Sequence, residues 1–236
     1  MYGKWEDSFI MINAFKEEIR NKNPGSVVDT DFEISGNKKC FQRFFSSLAA
    51  CSRGFILGCR PYISLDGCHL KGKFNGVLVA ATGIDGNNSI FPVAYGVLES
   101  ENTKSWTWFL NLLKEAIGTP NGLVISSDMQ KGLEVAISEV YPNAIRYLND
   151  NHKKIWSVSK FGTISKCDYI TNNISESFNS WIGELRYQPV INLLDAIIER
   201  LMVRFDNKRR IVEKWKGNIV PTAKKYLNEI SKNLGD

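Results

Sequence analysis

At 236 residues, 43% of them hydrophobic and 23% charged, the chain has the composition of an ordinary globular protein, which excludes collagen-like and disordered classes. Its longest apolar runs, Gly76 to Ala81 and Val190 to Ile198, fall well short of the roughly 18 residues a spanning helix needs, so no membrane partner is expected. The net charge of +5 is uneven: from His152 onward there are 15 Lys+Arg against 9 Asp+Glu, and before it 15 against 16. A basic C-terminal third permits phosphate contact without demonstrating it.

Trp5, Phe9, Ile12, Phe15 and Ile19 recur at spacings of four and three, which predicts an amphipathic helix ended near Asn23-Pro24-Gly25. Residues 26–60 read as polar linker with a short apolar segment around Phe41, Phe44, Phe45, Leu48 and Ala49. From Arg60-Pro61 the character changes. Tyr62 to Leu65, Val77 to Gly83 and Ile90 to Leu98 read as three strands, the last two joined by Asp85-Gly86-Asn87-Asn88, which is hairpin chemistry. Ser105 to Ile117 then reads as a helix with Trp108, Leu112 and Ala116 on one face and Phe109 and Leu113 alongside, stopped at Gly118-Thr119-Pro120. Leu123 to Ser126 is a fourth strand, Gln130 to Val140 a helix, and Ala144 to Leu148 a fifth strand. The expectation is therefore α/β, a mixed five-stranded sheet in the order βββαβαβ, covered by helices. Asn173 to Leu185 and a longer segment begun by Pro189, apolar from Val190 to Phe205, read as C-terminal helices. The expected organisation is a helical flank over 1–60, a core over 61–185 and a helical tail over 186–236.

Cys40, Cys51, Cys59, Cys68 and Cys167 are odd in number and form no C-x-x-C pair, which predicts buried free thiols and no zinc site. The N-terminus lacks the basic and apolar regions of a secretory signal, and an intracellular chain is expected.

Three acids sit where the expected architecture would converge. Asp66 ends the first strand, Asp128 ends the fourth, and Glu176 falls in the first turn of the helix begun at Asn173. With strands one and four as neighbours, two carboxylates would share a sheet edge and the helix would bring a third. Such oxygen ligands suit Mg²⁺ or Mn²⁺ in a two-metal site for phosphodiester cleavage or strand transfer. Each acid also has a purely structural reading. Asp66-Gly67 fits a turn, Asp128 a helix cap, and Asn173-x-x-Glu176 a capping box.

The segments GFILGCRPYISLDGCHLKGKFNGVLVAATGIDGNNSIFPVAYGVLESENTKSWTWFL, VISSDMQKGLEVAI and CDYITNNISESFNSWI resemble the transposase domain of plant Mutator-like elements. That family belongs to the DDE/RNase H-like nucleotidyltransferases. The resemblance implies an RNase H-like fold, DNA element ends as partner, a nuclear location, and Asp66, Asp128 and Glu176 as catalytic metal ligands. It leaves room for an oligomer. Candidate DNA contacts are Lys71, Lys73, Lys131, Arg209 and Arg210, with Lys208-Arg209-Arg210 also a weak nuclear-localisation signal.

The departures from the family pattern point the other way. The H-R-x-C-x-x-H-like run of the family is here Ile145-Arg146-Tyr147-Leu148-Asn149-Asp150-Asn151, with His152 one place out of register. Only about 25 residues separate Leu148 from Asn173, where the family carries a helical insertion. The upstream DNA-binding and C-terminal zinc-binding modules common in such transposases are also expected to be missing. These features favour a truncated derivative. The rival expectation is a non-catalytic DNA-binding or regulatory protein, or an inactive remnant.

Overall fold

The structure is a computed structural model and describes residues 5–36, 38–127, 131–148, 180–217 and 219–233. The chain opens with helix α1 (Trp5–Lys22), a hairpin of β1 (Val27–Ser35) and β2 (Lys38–Ser47), and helix α2 (Ala49–Gly58). The strands β3 (Tyr62–His69), β4 (Val77–Ile84) and β5 (Ile90–Leu98) follow, then helix α3 (Thr103–Ile117), β6 (Val124–Ser127), helix α4 (Leu133–Val140) and β7 (Ile145–Leu148). A 3-10 helix (Gly183–Tyr187) leads into the long helix α5 (Val190–Glu213), and helix α6 (Pro221–Asn233) comes last.

The strands form one sheet in the order β1-β2-β5-β4-β3-β6-β7. The β3–β6 and β6–β7 ladders are parallel, and the other ladders are antiparallel. The five expected strands are all present in the expected βββαβαβ order, giving a mixed α/β architecture of the RNase H-like kind. The count rises to seven because residues read as linker form the β1–β2 hairpin, which adds to the sheet through β2 and β5. A bulge explains why β2 does not look like a strand. The register with β1 shifts between Asp31 and Phe32, so that Asp31 pairs with Arg43 and Phe32 with Phe41. The extra residue puts Phe41 and Phe44, three apart, on the same face, which regular alternation forbids.

Both faces of the sheet are covered, so the middle strands are apolar along their length rather than alternating; every residue of β4 is buried. One face, with Ile63, Leu65, Val79 and Ala81, packs against α3 and α4 through Trp106, Phe109, Leu113 and Ile137. The opposite face, with Phe44, Leu78, Ala80 and Val97, packs against α1 and α5 through Ile12, Ile19, Leu194 and Ile197. On α3 the deeply buried stripe is Trp106, Phe109, Leu110, Leu113 and Ile117, whereas Trp108, Leu112 and Ala116 are only partly buried. The sheet therefore takes a stripe rotated from the expected one. Trp108 sits at the margin, its ring 5.9 Å from the Arg43 guanidinium.

A part-buried ion pair ties the added hairpin to the core. Arg43 is 4% exposed and grips Glu99 with two hydrogen bonds, Nε to Oε2 at 2.8 Å and Nη2 to Oε1 at 2.9 Å. Ser105 Oγ donates a third to Glu99 Oε1. Burial pushes the Glu99 carboxyl up, and the Arg43 and Ser105 hydrogen bonds outweigh it and hold the carboxyl below the usual glutamate range. Of the cysteines, Cys51 and Cys68 are buried, Cys59 is half-buried and Cys40 is exposed, all as free thiols; Cys167 lies outside the described residues.

Candidate active site at the end of the central strands

Apart from Arg43, Ser46 and Ser47 of β2, the buried polar residues of the sheet lie on β3 and the strands beside it. Ser64 and Asp66 of β3, Thr82 of β4, and Ser126 and Ser127 of β6 are all buried in an otherwise apolar part of the sheet. Alternation puts Tyr62, Ser64, Asp66 and Cys68 on one face, the face that Cys68, Leu78 and Ala80 share with α5. Tyr62 Oη and Ser126 Oγ hydrogen-bond at 2.5 Å across the parallel ladder. Asp66 lies two places further along β3 than Ser64, opposite Ala80.

Asp66 lies near the end of the described β3–β6 ladder. The parallel register runs Tyr62 with Val124, Ile63 with Ile125, Ser64 with Ser126 and Leu65 with Ser127. Among the described residues, β3 continues beyond Leu65 to His69 paired with β4. Asp66 directly follows the last β3 residue paired with a described residue of β6. It is 9% exposed, and Oδ1 accepts a hydrogen bond from the Gly67 N–H at 2.8 Å.

Charged groups from three other segments approach this end. The 3-10 helix docks through Lys71 N donating to Arg186 O at 2.9 Å. Arg186 donates from Nε to Gly183 O at 3.2 Å and also bonds the Cys68 thiol. Burial pushes that thiol up to about 11; Arg186 opposes the rise, while Asp66 and, more weakly, Glu101 add to it. The exposed Lys71 holds its Nζ 5.5 Å from the Tyr187 ring, and Lys73 is exposed in the same loop.

The start of α4 is clamped against the start of α3. Gly132 adopts φ +81°, and a Cβ there would stand 2.3 Å from Thr103 N and 2.8 Å from Thr103 Oγ1. Only glycine permits both the left-handed backbone and so close an approach. This contact fixes Lys131, which is exposed, next to the turn that carries Glu101. Asn102 caps α3 by accepting from the Ser105 N–H at 3.0 Å.

Of the three predicted acids, Asp66 is placed as described, while Asp128 and Glu176 lie outside the described residues. Among the described residues no three of His, Cys, Asp and Glu are grouped so as to hold a metal ion. Asp66 brings a hard carboxylate donor, the type Mg²⁺ and Mn²⁺ favour. Lys71 and Lys73 follow Asp66 at the C-terminal end of β3, but Arg209 and Arg210 do not join them. Both pair with Asp206 on α5, next to Lys208, which binds Asp85 in the β4–β5 turn at the opposite end of the sheet. Arg186 and Glu101 were not singled out from the sequence. Neither stands in a periodic pattern or a motif, and only docking of their turns onto the strand ends distinguishes them from surface charges.

No helix of the described residues is long and apolar enough to cross a membrane. Residues 62–148 match the MULE transposase domain, a match that begins on the first residue of β3 and ends on the last of β7. The chain is similar to Protein FAR1-RELATED SEQUENCE 6 of Arabidopsis thaliana, 25% identical over 166 residues. That alignment covers 70% of this chain and 22% of the relative, so the chain matches about a fifth of that protein's length.

Proposed function

We propose, from the match of residues 62–148 to the MULE transposase domain, a transposase-derived, DNA-interacting protein whose divalent-metal site is built around Asp66. The observation that carries the reading is the placement of Asp66 directly after the described β3–β6 ladder, on a polar strip inside a largely apolar sheet. Asp128, next in sequence after Ser127, is the proposed second ligand. Glu176 precedes the segment that docks through Arg186, and it is the proposed third ligand. Mg²⁺ or Mn²⁺, when bound, supplies charge stabilisation to a phosphodiester under attack.

The remaining roles fall to cations. Lys71, Lys73, Lys131 and Arg186 stand at the same end of the sheet and would bind and orient DNA phosphates. The burial of Asp66 would limit water around the reacting group. Nuclear location and the element ends of a transposon as target follow from the family and belong to the same proposal.

Manganese titration by calorimetry tests the site without knowledge of the DNA target. Wild type should bind Mn²⁺, and Asp66→Asn, Asp128→Asn and Glu176→Gln should each weaken binding by at least about tenfold, or about 1.4 kcal/mol. A folded wild type that takes up no Mn²⁺ would remove the intact-site reading. The second reading would then stand, a non-catalytic DNA-binding or regulatory derivative. It is favoured by the departures over residues 145–152 and the short span before Asn173. DNA affinity that falls with salt, together with no cleavage, is its expected signature.

A further inference from the structure

Eight of the sixteen large apolar side chains exposed among the described residues fall between Met202 and Ile230, a stretch of 29 residues. On α5, Val203 and Ile211 lie on one stripe at multiples of four residues, beside a row of Arg200, Arg204 and Lys208 at the same spacing. With Trp181 these residues line a groove of about 540 Å³ in which Glu199 is the one acid. A smaller cavity of about 140 Å³ under Val212 and Trp215 shares Lys208 and Ile211 with it, so the two form one continuous depression. Helix α6 extends the surface. Thr222 holds its first turn by donating from N and Oγ1 to Asn87, while Tyr226, Leu227 and Ile230 remain exposed on a 3–4 spacing from Ala223.

The charge around this apolar surface is predominantly positive. Residues 200–233 hold ten Lys+Arg against three Asp+Glu. Lys208 pairs with Asp85, which also acts on Arg204, while Arg200 donates to the carbonyls of Trp181 and Ile182 and Arg204 to that of Ile90; neither arginine forms a salt bridge with an acid among the described residues. Arg204 Nε has no hydrogen-bond partner among the described residues. Exposed apolar surface rimmed by charge marks a protein-docking face. A second copy of the chain would set like charges against each other, and nucleic acid would meet the cations while leaving the aliphatic stripe wet.

We propose that this C-terminal arm docks an acidic amphipathic helix of another protein, its apolar stripe in the α5 groove and its carboxylates against Arg200, Arg204 and the lysines of α6. This is the helix-in-groove mode, with affinity from the stripe and selectivity from charge. It stands on observations separate from the Asp66 site.

The test uses the full chain and a fluorescein-labelled probe peptide of about 20 residues, with leucine on one helical stripe and glutamate elsewhere. A control peptide replaces each glutamate by lysine. Fluorescence anisotropy should show the glutamate probe binding at least about tenfold tighter than the lysine probe. The double variants Val203→Ser/Ile211→Ser and Tyr226→Ser/Ile230→Ser, exposed positions whose thermal melts should match wild type, should each weaken the glutamate probe about tenfold. Equal binding of the two probes, or undiminished binding by both variants, would overturn the proposal. So would random duplex DNA that displaces the probe and binds the serine variants as tightly as wild type, which would make this a nucleic-acid face. Dimerisation of wild type abolished in the variants would assign the surface to a second copy instead.

Discussion

The central sheet and the C-terminal arm use similar side chains to opposite ends. In β3, β4 and β5 nearly every residue is buried, because α3 and α4 cover one face and α1 and α5 the other. In α6 the residues are almost all exposed, and Tyr226, Leu227 and Ile230 face water. The strands are apolar along their length and α6 carries an apolar stripe, so apolar patterning alone marks surface that needs cover without saying whether this chain provides it. The amphipathic α1 finds its cover on β1 and α5. Helix α6, with an equally clear stripe, is held by its first turn. The sealed region should respond to substitution through stability, and the open arm through binding.

The largest effect is expected at Gly132, where alanine would meet the Thr103 backbone with φ held at +81°. Left-handed strain and overpacking together should cost about 4 kcal/mol, read as a lowered midpoint in urea denaturation. A loss under about 1 kcal/mol would mean that the α3–α4 junction yields and does not clamp the site. Trp106→Ala should follow closely at about 3–4 kcal/mol. The ring is fully buried and packs edge-on against Phe109 at 6.0 Å.

Arg43→Met should cost about 3 kcal/mol because it strands the Glu99 carboxylate, and Arg43→Met/Glu99→Gln should recover much of it. The pH profile sharpens this further. Folding depresses the Glu99 carboxyl, so its contribution is fully present above the ordinary value of 4.5 and is lost as pH falls through the lower folded value. Glu99→Gln should therefore flatten part of the acid limb of the stability curve, and an unchanged limb would show that the pair is not formed. Tyr62→Phe removes the hydrogen bond to Ser126 and should cost about 1–2 kcal/mol. At the other extreme, Arg209 is exposed and paired within its own helix, so Arg209→Ala should shift stability by under about 0.5 kcal/mol. A larger loss there would mean that the arm is packed after all.

The order of strands from Tyr62 to Leu148 and the helices between them were legible in the sequence, since long apolar runs, Asp85-Gly86-Asn87-Asn88 and Gly118 punctuate them clearly. The β1–β2 hairpin was not. Its bulge sets Phe41 and Phe44 three apart on one face, a spacing that reads as helical. Asp66 could be singled out because a carboxylate within an apolar strand is conspicuous, whereas Arg186 and Glu101 lie in turns without pattern.

The sequence by itself determined where the strands and helices from Tyr62 to Leu148 lie, that helices cover the central sheet, and which acid interrupts it, because burial and periodicity are local properties of the chain. Only the tertiary structure decided that β6 lies parallel beside β3 from Tyr62 to Leu65, that Arg186 closes on Cys68, and that Arg209 and Arg210 stand at the far end from Asp66. Those facts depend on the register of non-adjacent strands and on the docking of turns, which sum contacts over distant parts of the chain and leave no periodic mark on any one of them.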